Sequence, residues 1–346
     1  MTSVSVVIPC YKYGHFLEEA VTSVLDDQAG VDVRVLIIDD ASPDDSAEMA
    51  RKLAARDPRV DVAVHAVNKG HIATYNEGLL EWADGDYCVL MSADDRLTPG
   101  ALRRARDLLD ANPSVGFVYG TALWFWHGKP IPTARTKVRR WSVWPGQWWL
   151  ERRLRQAENC ITSPEVVVRT KLQRQVGGYD ARLPHTGDQE MWMRLAANAD
   201  VGFVHGVDQA YYRVHGQNMR TAFNSLRDLG QKRLAFDMVL DRYRASLSDP
   251  QRLSDIVHRK LSWQALWAAA RAYDLGTTEQ TPVDELVAFA FDCWPEADGF
   301  PLYRTLQLRQ RIGPRAMPYL QPFIVSAFVH KAHGWLQRRS WKYRGF

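Results

Sequence analysis

Two pairs of adjacent aspartates follow short apolar runs of the sequence. Asp39 and Asp40 come directly after one run, and Asp94 and Asp95 come shortly after another. Carboxylate oxygens are the ligands that hard divalent cations such as Mg²⁺ and Mn²⁺ prefer. Because neighbouring carboxylates repel one another, a cluster of them is stabilised when a cation or a hydroxyl-rich ligand joins them. The acids therefore indicate a candidate cation site.

The alternative is that each pair ends a strand in a solvated turn that leads into a helix. Ser42-Pro43 and Thr98-Pro99 each look like the start of a helix. For the first of these helices, Ser42 is a better cap candidate than Asp40. From the two acidic dipeptides alone, this alternative stays open.

The elements that must position these acids alternate between strands and helices. The predicted strands are 4–10, 33–42, 60–67 and 87–93, and the helices predicted between them are 15–28, 46–56 and 71–83. This alternation predicts an α/β fold with a mainly parallel, Rossmann-like sheet flanked by helices. Because ligands of such sheets bind beyond the carboxyl ends of the strands, we expect both acidic pairs on one edge.

Residues 127–150 are rich in Pro, Gly, Trp and basic side chains and lack periodicity, which predicts a long loop or flap after a strand at 115–126. Tryptophan faces stack on sugar rings and basic groups hold phosphates, so Arg140, Trp141 and Trp144 are candidates for a lid over a ligand. The alternative is that several of these tryptophans pack into a core. Nucleic acid is disfavoured as a partner, because the patch is short and the strand-end acids would repel a polyanion.

The C-terminal part, from about residue 222, has a helical pattern and predicts a helical extension over 222–346. Residues 323–346 combine apolar, aromatic and basic side chains, which suits peripheral contact with an anionic membrane surface. The alternative is a docked helix with a solvated basic tail.

The composition sets outer limits on the class of protein. A 46% share of hydrophobic residues supports a sizeable core, and a net charge of +4 gives no argument for nucleic-acid binding. The four cysteines include no CxxC pair, so neither a zinc site nor a disulfide framework is expected. We expect a cytoplasmic protein, because the sequence shows no secretory signal and no apolar run of the roughly 18 residues that a spanning helix needs.

Six motifs in order resemble family 2 glycosyltransferases with a GT-A fold, over roughly residues 3–220. They are SVVIPCYKYGHFLEEAVTSVL, VLIIDDASPDDS, NKGHIATYNEGL, LMSADDRL, GGYDARLPHTGDQEMWMRL and YRVHGQN. The resemblance implies a catalytic domain over 1–221 that transfers a sugar, with inversion, from a nucleotide sugar to a hydroxyl acceptor. It favours a UDP-sugar, Mn²⁺ or Mg²⁺ as cofactor, and a glycan, lipid-linked or natural-product acceptor.

The resemblance also implies roles for individual residues. Asp188 is the expected catalytic base, with Glu190 as its rival on the acceptor side, and Asp95, Asp94 and His215 are the expected metal ligands. Asp188 as a helix cap and His215 as a structural residue are the alternatives. The residues expected at the nucleotide sugar are Pro9, Cys10, Tyr11, Asp40, Asn68, Lys69, Gly70, Asn76 and Asp94, with Arg213 and Arg220 as further phosphate candidates.

Two positions depart from the family pattern. Ser92 stands where the metal-binding stretch usually has an acid, and Gly187 stands where an acid usually precedes the base. These departures motivate an alternative of a different class, a catalytically lapsed protein that binds nucleotide sugars or acts as a scaffold on the same fold. A sugar-phosphate nucleotidylyltransferase is disfavoured, because no Gly-rich loop with Arg and Lys follows the first strand.

Overall fold

The computed structural model describes residues 2–216, 218, 225–320, 339–341 and 343–346. These residues divide into two compact units. The first consists of 2–149, 160–216 and 343–346, and the second of 150–159, 218, 225–320 and 339–341. The predicted domains, 1–221 and 222–346, remain a proposal, and they differ from these units in where 150–159 and 343–346 fall.

Among the described residues, the strands all belong to the first unit. In chain order they are β1 (Ser3–Cys10), β2 (Asp32–Asp39), β3 (Val60–Val64), β4 (Tyr87–Leu90), β5 (Arg96–Leu97), β6 (Val115–Tyr119), β7 (Ala122–Trp126), β8 (Arg140–Trp144), β9 (Val167–Arg169), β10 (Asp200–His205) and β11 (Ala210–Val214).

The helices occur in both units. In chain order they are α1 (Gly14–Leu25), α2 (Ser46–Arg56), α3 (His71–Asn76), α4 (Ala101–Ala111), α5 (Gly146–Gln156), α6 (Thr170–Val176), α7 (Gly187–Ala196), α8 (Ser225–Arg242), α9 (Pro250–Leu275), α10 (Val283–Cys293) and α11 (Pro301–Ile312). None of the helices in the described ranges is both long and apolar enough to cross a bilayer.

The main sheet of the first unit has the strand order β3-β2-β1-β4-β9-β6-β10-β8 among the described residues, and β5, β11 and β7 form a smaller sheet. β1, β2, β3 and β4 run parallel to their neighbours in this group, whereas β9 and β8 are antiparallel to theirs. The predicted α/β fold with a mainly parallel sheet flanked by helices is confirmed.

The middle of the sheet is apolar because β1, β2 and β4 are covered on both faces. Val6, Ile8, Val35 and Ile37 are fully buried, as expected for strands of a parallel sheet. A π-helix at Glu77–Trp82 continues α3 and packs closely against β1. A Cβ at Gly78 would lie 2.3 Å from Val7 Cγ1, so the close approach requires glycine.

Several predicted boundaries are wrong. The strand expected over 115–126 is two strands, β6 and β7, in different sheets. The helix predicted over 46–56 is confirmed as α2, but its N-cap is Asp45 and not the candidate Ser42. α4 begins at Ala101, after the candidate start at Thr98-Pro99. Gly100 precedes α4 with φ +71°, a left-handed conformation that suits glycine.

The loop or flap predicted over 127–150 is wrong from residue 140 onward. Arg140, Trp141 and Trp144 lie on β8, which pairs antiparallel with β10 and ends the main sheet, and α5 follows. Trp144 packs against Phe203 of β10 with 6.1 Å between ring centroids. These three side chains therefore belong to an edge strand and not to a loop that can close over a ligand.

The last residues of the chain pack within the first unit. The hydroxyl of Tyr119 donates a hydrogen bond to the carbonyl of Gly345, and the ring of Phe346 lies edge-on to Trp144 and Trp148 at 5.3 and 5.4 Å. The fully buried indole of Trp149 donates to Tyr119 Oη at 3.0 Å. Aromatic packing thus accounts for several tryptophans of 141–149, which was the alternative to a lid.

The described part of the second unit is helical. α9 is its longest element, with 26 residues. The Asp249 side chain caps its first turn by accepting from the Arg252 N–H, and Gly276 ends it in a left-handed conformation. Residues 323–338, most of the basic stretch proposed for membrane contact, lie outside the described residues.

Candidate active site

The carboxyl ends of β2, β1 and β4 meet at one edge of the main sheet. β1 lies between the other two and is parallel to both. Asp39 and Asp40 stand at the end of β2, and Asp94 and Asp95 follow β4. The expectation that both acidic pairs reach the same edge is therefore confirmed.

The loops after β1 and β2 are held together in an unusual backbone conformation. Lys12 and Ala41 have φ values of +64° and +56°, which residues other than glycine rarely adopt. The Lys12 N–H donates to Ser42 Oγ at 3.0 Å and so ties one loop to the other. Such backbone strain is concentrated at functional sites, where the surrounding structure enforces it.

The three residues predicted at the end of β1 differ in exposure. Pro9 is half-buried, Cys10 is buried, and Tyr11 is 43% exposed, with Lys12 Nζ 4.9 Å from its ring centroid. Burial raises the pKa of the Cys10 thiol to about 12. Cys10 therefore stays a neutral thiol that shapes the edge, and it has no role as a nucleophile.

Asp40 is held by groups of its own chain. Its carboxylate contacts His65 Nδ1 at 2.7 Å and accepts from the Lys69 and Gly70 N–H groups at 2.8 and 2.9 Å. Burial alone would raise the pKa of Asp40, but the hydrogen bonds from His65 and the two backbone groups lower it below its ordinary value. The carboxylate is thus ionised and already well provided with donors.

The 68–70 loop is fixed by the same contacts. Asn68 Nδ2 donates to the Asp40 carbonyl at 2.9 Å, and Lys69 Nζ pairs with Glu77 at 2.8 Å. Glu77 also contacts His65 Nε2 at 3.0 Å. Gly70, with φ +84°, precedes α3. In this arrangement, the side chains of Asn68 and Lys69 organise the loop.

Asp39, in contrast to Asp40, has one carboxylate oxygen without a hydrogen-bond partner among the described residues. Its Oδ2 accepts from the Ser42 N–H at 3.1 Å, but its Oδ1 is buried and has no hydrogen-bond partner among the described residues. Asp39 as a whole is only 1% exposed. Because buried polar atoms are almost always paired, this oxygen marks a place where a ligand can supply the donor.

Asp94, Asp95 and His215 form a second cluster at this edge. His215 Nε2 lies 2.9 Å from Asp94 Oδ2, and the hydroxyl of Ser92 hydrogen-bonds the other Asp94 oxygen. Asp95 accepts from the Arg213 N–H at 2.9 Å. Burial, and then the charge of Asp94, raise the pKa of Asp95 well above its ordinary value. Two adjacent buried carboxylates of this kind favour a bound cation.

Arg213, predicted as a phosphate ligand, organises this cluster instead. Its Nε donates to the Asp94 carbonyl at 2.8 Å and its Nη2 reaches Glu19 at 2.5 Å. The buried guanidinium also lies over the rings of Phe16 and Phe125, 4.4 and 4.7 Å from their centroids. Arg220, the other predicted phosphate ligand, is outside the described residues.

The donor set at this edge fits a divalent cation that shares its ligands with a phosphate group. Within the described ranges, no three or more His, Cys, Asp or Glu side chains are grouped so as to hold a metal ion by themselves. Mg²⁺ sites usually combine one or two carboxylates with phosphate oxygens and water. Asp94 and Asp95 supply the carboxylates of such a site, and His215 adjoins them through its contact with Asp94 Oδ2.

Asp188 stands in the first turn of α7. Its Oδ1 accepts from the Gln189 N–H at 2.7 Å, and the N-cap residue is Thr186. Burial and then the charge of Asp188 raise the pKa of Tyr75, and Asp94 and Asp95 raise it further. The charges of the predicted base and of the predicted metal ligands thus all act on the Tyr75 hydroxyl.

Asn76 joins α3 to the segment that leads to Asp188. Its Nδ2 donates to the Tyr179 carbonyl at 2.9 Å, and its Oδ1 accepts from the Tyr179 N–H at 2.6 Å. A Cβ at Gly178 would lie 2.4 Å from this Oδ1, so glycine is required there. Both ends of the Asn76 amide are therefore used within the protein, in place of the predicted contact with a nucleotide sugar.

Glu190, the rival base, is buried in an ion pair. Its Oε2 lies 2.6 Å from Arg194 Nη2, and the two side chains are 2% and 5% exposed. Arg194 also donates to the Val176 carbonyl at 2.9 Å. This geometry makes Glu190 a structural partner of Arg194 and leaves Asp188 as the more accessible carboxylate of the helix start.

The Glu190→Gln variant is expected to be destabilised by about 3–5 kcal/mol, because it leaves the buried Arg194 cation without its counter-charge. Chemical denaturation measures the change in the free energy of unfolding. The double variant Glu190→Gln, Arg194→Met is the control and should recover much of the loss. A single variant with unchanged stability would contradict the ion-pair assignment.

Sequence reasoning missed four residues of this site: His65, Tyr75, Glu77 and Tyr179. His65 and Glu77 are 12 residues apart and contact one another. His65 also contacts Asp40, and Glu77 also contacts Lys69, so the four residues are brought together only in the folded loop. Tyr75 and Tyr179 lie edge-on to one another at 5.6 Å. The motif around residues 68–79 marked the region, but no local spacing identified these side chains.

The comparison with known proteins finds one family description over this part of the chain. The model of "Glycosyl transferase family 2" matches residues 5–171. The chain is 30% identical over 217 residues to the uncharacterized protein MT1568 of Mycobacterium tuberculosis, covering 58% of this chain and 64% of that protein. It is 29% identical over 205 residues to the succinoglycan biosynthesis protein ExoA of Rhizobium meliloti, covering 56% and 58%. In both cases the match spans less than two thirds of the relative's length.

Two solved structures are similar to this chain over most of its length. S. aureus TarS, in complex with UDP-GlcNAc, has a TM-score of 0.62 and 19% identity, with 92% of this chain and 88% of that chain covered. The mannosyltransferase PcManGT of Pyrobaculum calidifontis, in complex with GDP-Man and Mn²⁺, has a TM-score of 0.54 and 17% identity, with 94% and 86% covered. At these identities the similarity concerns the fold.

Proposed function

Because the chain belongs to glycosyltransferase family 2 over residues 5–171 and its fold is similar to that of GT-A glycosyltransferases, we propose that it is a metal-dependent, inverting glycosyltransferase. It moves a sugar from a nucleotide sugar to a hydroxyl acceptor. The observation that carries this proposal is the buried pair Asp94 and Asp95, which follows β4 at the same sheet edge as Asp39 and its unpaired Oδ1. Such an arrangement supports a cation that stabilises a leaving diphosphate.

In this proposal Asp39 contacts the nucleoside, and not Asp40 as the resemblance implied. The Asp40 carboxylate already has three partners, whereas Asp39 Oδ1 is buried and unpaired. The imide N–H of uracil, or the N1–H of guanine, is a donor of the required kind. We favour a UDP-sugar, and the exposed ring of Tyr11 offers a stacking face for the base.

The residues that would hold Mn²⁺ or Mg²⁺ are Asp95, Asp94 and His215. The cation supplies a positive charge that stabilises the departing diphosphate. Ser92 supports this role, because its hydroxyl orients Asp94 although an acid is usual at that position. The Arg213 N–H fixes Asp95, and its side chain fixes the Asp94 backbone, so both carboxylates are held in place before a ligand arrives.

Asp188 acts as the general base. A carboxylate at this position takes the proton of the acceptor hydroxyl as its oxygen attacks the anomeric carbon, on the face opposite the diphosphate. The N-terminal turn of α7 fixes the side chain through the Gln189 N–H. The acceptor is a glycan, a lipid-linked sugar or a natural product. A cytoplasmic location, with peripheral membrane contact through residues 323–346, remains part of the proposal.

The test is donor turnover. The full chain is incubated with UDP-glucose, UDP-GlcNAc or GDP-mannose, in the presence of Mn²⁺, Mg²⁺ or EDTA, and release of the nucleoside diphosphate is followed. Slow metal-dependent hydrolysis without an acceptor supports a transferase. Binding of a nucleotide sugar without turnover, across a panel of hydroxyl acceptors, would instead support the catalytically lapsed alternative.

The Asp39→Asn variant is expected to bind UDP about tenfold to a hundredfold more weakly, the value of a hydrogen bond to a charged group. Since Oδ2 accepts from the Ser42 N–H, the asparagine oxygen must stay on that side, and the NH₂ group then faces the ligand donor. Calorimetric titration measures the affinity. Asp45→Asn, the same change on the exposed N-cap of α2, is the control; equal affinities for the two variants would return the nucleoside contact to Asp40.

A further inference from the structure

A cleft in the second unit includes none of the residues to which a role is given above. It has a volume of about 810 Å³ and is lined by α8, α9, the end of α5 and the start of α11. Small-molecule sites usually have volumes of about 300–1,000 Å³, so the cleft is of a size to hold a ligand. The proposed transfer reaction makes no use of it.

Two indole rings form one wall of the cleft. Trp263 and Trp267 are one helical turn apart on α9, with their planes 7° from parallel and their centroids 5.7 Å apart. Trp263 is 37% exposed, so part of its side chain reaches solvent. Phe300 lines the same cleft, with the Arg259 guanidinium 5.7 Å from its ring centroid. Flat aromatic faces at a cleft bind flat apolar faces of a ligand.

Polar side chains complete the lining. Gln264 Nε2 donates to Glu158 Oε1 at 3.0 Å, and Asp228 pairs with Lys232 at 3.0 Å. Gln156 also lines the cleft, and its Oε1 is buried without a hydrogen-bond partner in the part of the chain that is described. Burial raises the pKa of Glu158, although Lys232 and Lys260 partly oppose that effect. These planar amide and carboxyl groups both accept and donate.

We propose that this cleft binds a saccharide. A pyranose ring has an apolar C–H face for Trp263 and equatorial hydroxyls that donate to Gln156 and Glu158 and accept from Gln264. An acyl chain would instead cover these polar groups without pairing them, which costs free energy for each group left unsatisfied. A saccharide therefore suits both the aromatic and the polar side chains that line the cleft. Because such binding needs neither the nucleotide sugar nor Asp188, it can be measured even where no transfer occurs.

The experiment is calorimetric titration of the full chain with four tetrasaccharides, without nucleotide sugar: cellotetraose, maltotetraose, chitotetraose and mannotetraose. At least one is expected to bind, and Trp263→Ala is expected to weaken that binding by about tenfold, or about 1.4 kcal/mol, because an aromatic face is lost. Trp263→Phe keeps a ring and should lose less. Tyr319→Ala removes an aromatic side chain that is 85% exposed in the same unit and outside the cleft, and should change nothing.

Two outcomes would overturn the proposal. Binding that is equal in Trp263→Ala and the parent chain would locate the sugar elsewhere. Uptake of the apolar dye ANS, lost in Trp263→Ala, with no binding of any of the four sugars, would make the cleft an apolar docking groove. Thermal unfolding of each variant verifies that it is folded, and if Trp263→Ala does not fold, the difference between Trp263→Phe and Tyr319→Ala decides the question.

Discussion

Asp188→Asn is expected to lower the rate of sugar transfer by about 10²–10⁴-fold, which is the usual contribution of a general base. Asparagine has the same shape but cannot take up the proton of the acceptor hydroxyl. Its side-chain oxygen can still accept from the Gln189 N–H, so the start of α7 should keep its conformation. The affinity for the nucleotide sugar should therefore be unchanged. Single-turnover rates and calorimetric titration measure these two quantities separately.

Asp84→Asn is the matched control, because it neutralises an aspartate of the same unit whose side chain is 66% exposed. Its transfer rate should equal that of the parent chain. If Asp188→Asn transfers sugar at the parent rate, the base is another group, and the buried Glu190 would need to leave Arg194 in order to serve. Loss of nucleotide-sugar binding in Asp188→Asn would point instead to a structural role for the helix start.

Asp95→Asn is expected to have opposite effects on stability and on activity. The protein should become more stable without metal, because the variant removes a buried carboxylate that burial and Asp94 disfavour in its charged form. Its Oδ1 can still accept from the Arg213 N–H. The additional rise in Tm that Mn²⁺ and UDP give together should disappear, since binding to the native state is what raises Tm. Transfer should fall by about two orders of magnitude or more, because the diphosphate loses charge stabilisation.

These opposite signs separate a metal ligand from a structural acid. A structural Asp95 would give a variant with lower stability and an unchanged Tm response to Mn²⁺. Asp84→Asn again provides the control, and it should keep both the response and the rate. Thermal unfolding with and without Mn²⁺ and UDP, on the same samples used for transfer assays, makes the comparison direct.

The sequence was most informative about features that repeat locally. The apolar runs of β1, β2 and β4 are strands because their side chains are buried on both faces, and the acids that follow them had to lie at one edge once the strands were parallel. The order of strands in the sheet needs long-range pairing, which no local pattern contains. β8 was missed for this reason: it is a short segment among Pro, Gly and basic residues with Trp141 and Val143 exposed, and the strand forms by pairing with β10 some 60 residues away.

The same limit applied to individual side chains. Asp39 and Asp40 are adjacent in sequence and chemically identical, so only the donors from the 68–70 loop distinguish the saturated carboxylate from the unpaired one. Glu190 and Arg194 are one helical turn apart, a spacing that the sequence contains. What the sequence does not show is that both side chains are buried, because burial depends on the tertiary fold.

The two hydrogen bonds between the Asn76 side chain and the Tyr179 backbone fix the distance between two loops. α3 begins at the loop that holds Asp40 and ends at Asn76, and Tyr179 leads toward Asp188, so the separation of the two loops is fixed by the length of a single short side chain. One added methylene, as in glutamine, would lengthen this connection by about one carbon–carbon bond. Changes that re-engineer the loop on either side for a new substrate therefore have to preserve this one dimension.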